Sequence, residues 1–87
     1  MTDHNKSVII KPGNIIQLHN NLYKIKDSVQ IIESICWHDG PTYIDGYAII
    51  PVNQIYNTNK YSINEDGLCE THSLEYLLQN AILIANN

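Results

Sequence analysis

Between Asn14 and Lys26 two short runs of alternating apolar and polar residues flank the pair Asn20-Asn21, and this arrangement constrains the fold more than any other feature of the chain. Asparagine tolerates the positive φ that a two-residue hairpin turn requires. A turn at that pair sets Leu18 opposite Tyr23 and Ile16 opposite Ile25 on one face, with Gln17 opposite Lys24 and Ile15 opposite Lys26 on the other. An apolar inner face and a mostly polar outer face describe a half-buried antiparallel ribbon.

The remaining segments are read outward from that hairpin. Ser7 to Lys11 is a short β-rich run, stopped by Pro12-Gly13. Val29 to Trp37 is a third strand, with Val29, Ile31, Ile35 and Trp37 on one face, interrupted by Glu33, and Ile32, Ser34, Cys36 and His38 on the other. Ile31-Ile32 is alternatively a bulge, which would exchange the faces beyond it. Asp39-Gly40-Pro41 and Asp45-Gly46 read as turns, Tyr47 to Pro51 as a strand that Pro51 ends or places at an edge, and Lys60 to Ile63 as a weak strand after the Asn57-Thr58-Asn59 loop. The period then changes. Leu74, Leu77, Leu78, Ala81, Ile82 and Ala85 recur at helical spacing and predict a helix over about 72–85. Ser73 or Thr71 would N-cap it, with Glu70 and Glu75 near its positive end. Its apolar stripe should cover an open side of the sheet.

A chain of 87 residues has room for one domain. The expected organisation is a polar tail at 1–6 and a single domain over 7–87, β-rich to residue 63 and closed by the helix. The fold class is mainly β with one C-terminal α-helix (α+β), as a small antiparallel sheet or a barrel packed by that helix. The stretch Tyr47-Ala48-Ile49-Ile50-Pro51-Val52-Asn53-Gln54-Ile55 resembles the closing strand and turn of SH3 domains. Trp37 stands upstream at a similar distance, and Lys11-Pro12-Gly13-Asn14-Ile15-Ile16 resembles the start of an earlier SH3 strand. The resemblance covers about half the chain and implies an SH3-like small barrel. It implies no proline-rich ligand, because Gln54 stands where the family closes on an aromatic.

The net charge is −4, there is no arginine, and the five lysines are scattered. Duplex binding needs several cations on one face, so direct nucleic-acid binding is not expected. A basic protein surface is the electrostatically favoured partner. The polar segment Met1 to Asn5 lacks the apolar core of a secretory leader, and Ala81-Ile82-Leu83-Ile84-Ala85 is too short to cross a bilayer. Two cysteines make no disulfide framework, and the expected setting is cytoplasmic. Abundant asparagine and isoleucine without arginine fit an AT-rich coding genome, as in many phages and mobile elements.

Two cysteines and two histidines, Cys36, His38, Cys69 and His72, are the candidate metal set, since such a group is a legitimate tetrahedral zinc site. No cofactor is expected, and zinc is the alternative that these four residues leave open. The same residues form a candidate Cys–His nucleophile pair with Asp39 or Glu70 to orient it, although no motif places a base or an oxyanion hole. Glu65-Asp66 and Asp39/Asp45 lie in turn sequences, and the four glycines are isolated, which excludes a phosphate-binding loop. With no phenylalanine in the chain, tyrosine and tryptophan must supply the aromatic share of the core, as expected for Tyr23 and Tyr47. Trp37 and Tyr43 beside aspartates have the composition of an interface. The expected function is a non-enzymatic protein-binding module, a regulator or inhibitor of a larger basic protein of the kind phages and mobile elements encode. Its expected contact surface is Trp37, Asp39, Tyr43, Asp45, Glu65 and Asp66. The alternatives are a self-associating structural subunit, a zinc-stabilised domain and a Cys–His enzyme.

Overall fold

Within residues 10–86, which the computed structural model describes, His19 and Asn20 close the first hairpin between β1 (Ile15–Leu18) and β2 (Asn21–Cys36). Both take left-handed backbone angles, φ 51° and 69°. The turn falls one residue earlier than the asparagine pair predicts, so Leu18 pairs with Asn21 and Ile16 with Tyr23. The displacement along the partner is two positions, an even number, and every side chain keeps its expected face. Ile16, Leu18, Tyr23 and Ile25 are accordingly buried together. The expected tail at 1–6 and most of the run from Ser7 lie outside the described residues. Ile10, at the end of that run, joins the core.

β2 continues where a break was expected at Asp27, and β3 (Gly40–Gln54) runs straight through the expected Asp45-Gly46 turn. Gly46 serves close approach instead of turning. A Cβ there would collide with the His72 carbonyl oxygen and with Cδ1 of Ile31. Pro51 does not end β3. On the edge away from β2, β5 (Glu70–Ser73) pairs with residues 46–49 of β3 and β4 (Tyr61–Ile63) with residues 52–54. Pro51 sits in the gap between them, where no ladder donor is required.

The C-terminal helix is much shorter than its periodicity predicts. α1 spans Leu74–Asn80, seven residues, with the Ser73 hydroxyl accepting the Tyr76 N–H at 3.1 Å as N-cap. Glu75 lies in its first turn, whereas Glu70 lies in β5. At Ala81 the backbone turns extended, and Ile82–Ala85 becomes β6, antiparallel to β1. The isoleucines of this run have strand propensity, and β1 otherwise offers an unpaired edge. Ladder pairing outweighs a weak helical period there.

The result is a mainly β fold with one short helix near the C-terminus and an open antiparallel sheet. Its order is β4-β3-β2-β1-β6, with β5 also on β3. The sheet does not close on itself into a barrel. α1 covers the inner face, where Leu77 packs among Ile16, Leu18, Tyr23, Ile25 and Ile49. The radius of gyration is 14.5 Å, against about 12 Å for a compact chain of this length. The long axis, 55 Å, is close to the roughly 53 Å that sixteen extended residues of β2 would span. No helix among the described residues is long and apolar enough to cross a membrane.

Because Leu77 is fully buried and Ile35 is 74% exposed, the two truncations should differ sharply. Leu77→Ala is expected to cost about 2–5 kcal/mol and Ile35→Ala about 0.5 kcal/mol or less, read from urea midpoints. Equal losses at both positions would contradict this packing.

Candidate functional site

From Ser28 on β2 to Gly46 on β3 the two strands pair only with each other among the described residues. β1 has ended by Lys24, and β5 reaches no further than Gly46. The outer part of the hairpin is therefore a two-stranded ribbon whose base still meets the body, where Glu33, Ile44 and Asp45 line a shallow pocket with Ser73, Leu74 and Glu75, and whose tip projects beyond it. Its tip is the turn Trp37-His38-Asp39, closed by Gly40 in the left-handed region at φ 79°. Two-stranded ribbons are marginal alone in water, and cross-strand contacts contribute here. Gln30 Nε2 donates to Asp45 Oδ1 at 2.6 Å, and the Ser34 and Thr42 hydroxyls lie 2.9 Å apart.

A register shift between Ile32 and Ser34 leaves Glu33 as the extra residue of a bulge. The expected bulge lay one residue earlier, at Ile31-Ile32. Ile32 pairs with Tyr43 before it and Ile35 with Pro41 after it. On β3, Tyr43 and Pro41 are two apart, so Ile32, Tyr43, Ile35 and Pro41 share one face. The same parity places Asp45 and Gln30 on that face. Ile32 and Tyr43 are 54% and 53% exposed, and Trp37 at the tip is 99% exposed. Helix α1 covers the body and leaves this apolar face in water.

The ribbon, with Asp27 at its foot, is also where the charge resides. Asp27, Glu33, Asp39 and Asp45 lie in a stretch with no lysine between Lys26 and Lys60. Their number equals the whole net charge of −4, so the rest of the chain balances. At the tip the Cys36 thiol is fully exposed and lies 3.8 Å from Asp39 Oδ2. Hydrogen bonds from the backbone N–H groups of Asp39 and His38 hold it below the ordinary thiol range.

Of the residues singled out in the sequence, Trp37, Asp39, Tyr43 and Asp45 come together on this ribbon. Glu65 and Asp66 do not join them. They lie in the loop after β4, where Asn64 N–H donates to Pro51 O and the Asn64 side chain accepts from Asp66 N–H at 3.1 Å. Pro51 is eleven strand residues from Gly40, a separation of roughly 36 Å. The candidate metal set is divided in the same way. Cys36 and His38 are at the tip, while Cys69 and His72 belong to the β5 region, with Glu70 paired to Ile49. The two pairs lie about 30 Å apart and cannot share one ion. No group of three or more His, Cys, Asp or Glu among the described residues is placed to hold a metal.

Sequence reasoning missed a second constellation, on the body. Tyr23 Oη donates to Glu70 Oε2 at 2.8 Å, and His72 Nε2 meets Glu70 Oε1 at 2.8 Å. The His72 ring stacks on Tyr76 with centroids 4.8 Å apart, and the Tyr76 hydroxyl bonds His19 Nε2. This chain of groups clasps β5 and α1 onto the first hairpin. Hydrogen bonds from His72, then Tyr23, hold the Glu70 carboxyl below its ordinary range, against the opposing effect of burial. Burial, with Glu70 alongside, pushes the Tyr23 phenol up. Such a clasp is invisible before β5 is known to exist.

The sign of the resulting pH dependence follows from linkage. A lowered carboxyl contributes stability that is complete above the unfolded value, about 4.3, and is lost as pH falls through the lower folded value. The Glu70 side chain is 41% exposed, so solvent limits the contribution to about 1 kcal/mol or less. Thermal melts from neutral pH downward should fall more steeply below about pH 4 for the parent than for Glu70→Gln. Parallel profiles would show that the clasp does not couple folding to this proton.

Comparison with family models, with curated proteins and with solved structures finds no match for this chain.

Proposed function

We propose that this chain is a non-enzymatic protein-binding module that presents the β2–β3 ribbon to a larger protein with a basic surface, as a regulator or inhibitor of the phage or mobile-element kind. The observation that carries this reading is the uncovered face of Ile32, Tyr43 and Ile35 with Trp37 at its tip, bordered by carboxylates and with no lysine or arginine on the ribbon itself. Contiguous exposed apolar groups mark interaction sites in soluble proteins. Tryptophan and tyrosine are the residue types that dominate binding energy at such sites. The surrounding negative potential would steer a positively charged partner and reject like-charged ones. The open ribbon edges add backbone donors and acceptors that a partner strand could pair.

The reading places the working surface on the ribbon, so Glu65 and Asp66 drop out of it. The SH3 likeness of residues 47–55 stays a proposal about strand and turn type and supplies no ligand. A cytoplasmic setting is the matching proposal for two unbridged, exposed cysteines.

Affinity capture from lysate of the source cells, followed by titration of the captured protein, tests the surface. Trp37→Ala combined with Asp39→Lys should weaken binding about 30-fold or more. Glu65→Lys with Asp66→Lys should change it less than about threefold. Undiminished binding by the first pair would reject the ribbon as the contact element.

A further inference from the structure

The face of the sheet opposite α1 carries a groove of about 400 Å³ that the ribbon reading does not use. Ile15 and Val52, both buried, form its floor. Ile63 of β4 and Ala85 of β6 stand on opposite sides, so the groove lies between the two end strands of the open sheet. Lys24 and Lys60 are among its lining residues, and no Asp or Glu side chain among the described residues is. The volume is in the range that accepts a small aromatic group. One molecule therefore carries an acidic apolar projection at one end and a basic apolar recess at the other.

The recess cannot receive its own ribbon. β2 leaves the groove at Lys24 and runs continuously to Cys36, which puts the tip roughly 40 Å away. Any contact between the two features must join different molecules. We infer that the ribbon tip docks in the groove of a second copy of this chain, with Trp37 seated over Ile15 and Val52 and with Glu33 and Asp39 facing Lys24 and Lys60. The inference rests on the ribbon being the recognition element and names one partner for it. Reciprocal exchange makes the contact twice and leaves neither groove empty, so a closed pair is the expected stoichiometry. A tip of this size buries less than a standard interface, which sets the expected dissociation constant at roughly 0.1 mM.

Paired charge reversals provide the test, with folding of each variant checked by circular dichroism. The ribbon reversal, Glu33→Lys with Asp39→Lys, sets a basic ribbon against a basic groove. The groove reversal, Lys24→Glu with Lys60→Glu, sets an acidic ribbon against an acidic groove. Each alone should raise the self-dissociation constant at least tenfold in sedimentation equilibrium. An equimolar mixture of the two should associate again, because both contacts are then complementary. Trp37, the single tryptophan, should shift its emission to the blue on association in the parent. Salt raised from about 0.05 to about 0.5 M should weaken that association. A parent that stays monomeric to about 1 mM, or a mixture that fails to associate, overturns the inference. Capture of another protein that still depends on Trp37 and Asp39 would leave the ribbon reading intact in that case. Association indifferent to Trp37→Ala and to both reversals would overturn the inference, and the ribbon reading would fall with it only if capture of another protein were equally indifferent to Trp37 and Asp39.

Discussion

The lateral pairing of β3 decides what the rest of the molecule is. From Gly46 to Ile49 this strand has β2 on one side and β5 on the other, and β4 takes up the far side from Val52, just past the last β2 pair at Pro51. From Gly40 to Asp45 it has β2 alone. The place where β5 turns into α1, at Ser73 opposite Gly46, therefore separates a packed body from a projecting ribbon. Gly46 permits that change by letting the β5 backbone come close. Beyond it the apolar face of the sheet continues, but nothing among the described residues covers it.

The division has an energetic side. A chain of this length buries only about two thirds of its unfolded surface, and here the burial is concentrated around Leu77 and five residues of the first three strands. The ribbon adds cross-strand bonds but little buried area. Local opening is expected first where apolar burial is least, and that region coincides with the exposed aromatics. Ordering it against a partner would recover burial that the free chain forgoes, at the cost of ribbon entropy. The acidic excess works in the same direction, because three of its four carboxylates, Glu33, Asp39 and Asp45, lie on the ribbon.

Much of this was legible in the sequence, for identifiable reasons. The inner face of the first hairpin survived an error in turn position because strand faces depend on parity alone. That Trp37, Asp39, Tyr43 and Asp45 lie near one another on one hairpin follows from their closeness in the chain. The C-terminal strand was not legible, since Leu74 to Ala85 satisfies a helical period and only the unpaired edge of β1 draws its last residues into the sheet. Asp45-Gly46 was misread because a glycine needed for close approach looks like one needed for a turn. The grouping of Glu65 and Asp66 with Trp37 failed because the register of a fifteen-residue strand sets long-range distance, and composition does not. β5, and with it the Tyr23–Glu70–His72 clasp, had no local signature at all.

Residue-resolved amide hydrogen exchange on the free chain addresses the separation of body and ribbon most directly. Amides of β2 and β3 near Tyr23, Ile25 and Ile49 should be protected close to the global unfolding limit, with protection falling steeply from Ser28 to the Trp37 turn and rising again only past Gly46. Uniform strong protection along both strands would mean that the outer hairpin is packed in solution, and the ribbon would not be the free surface described here.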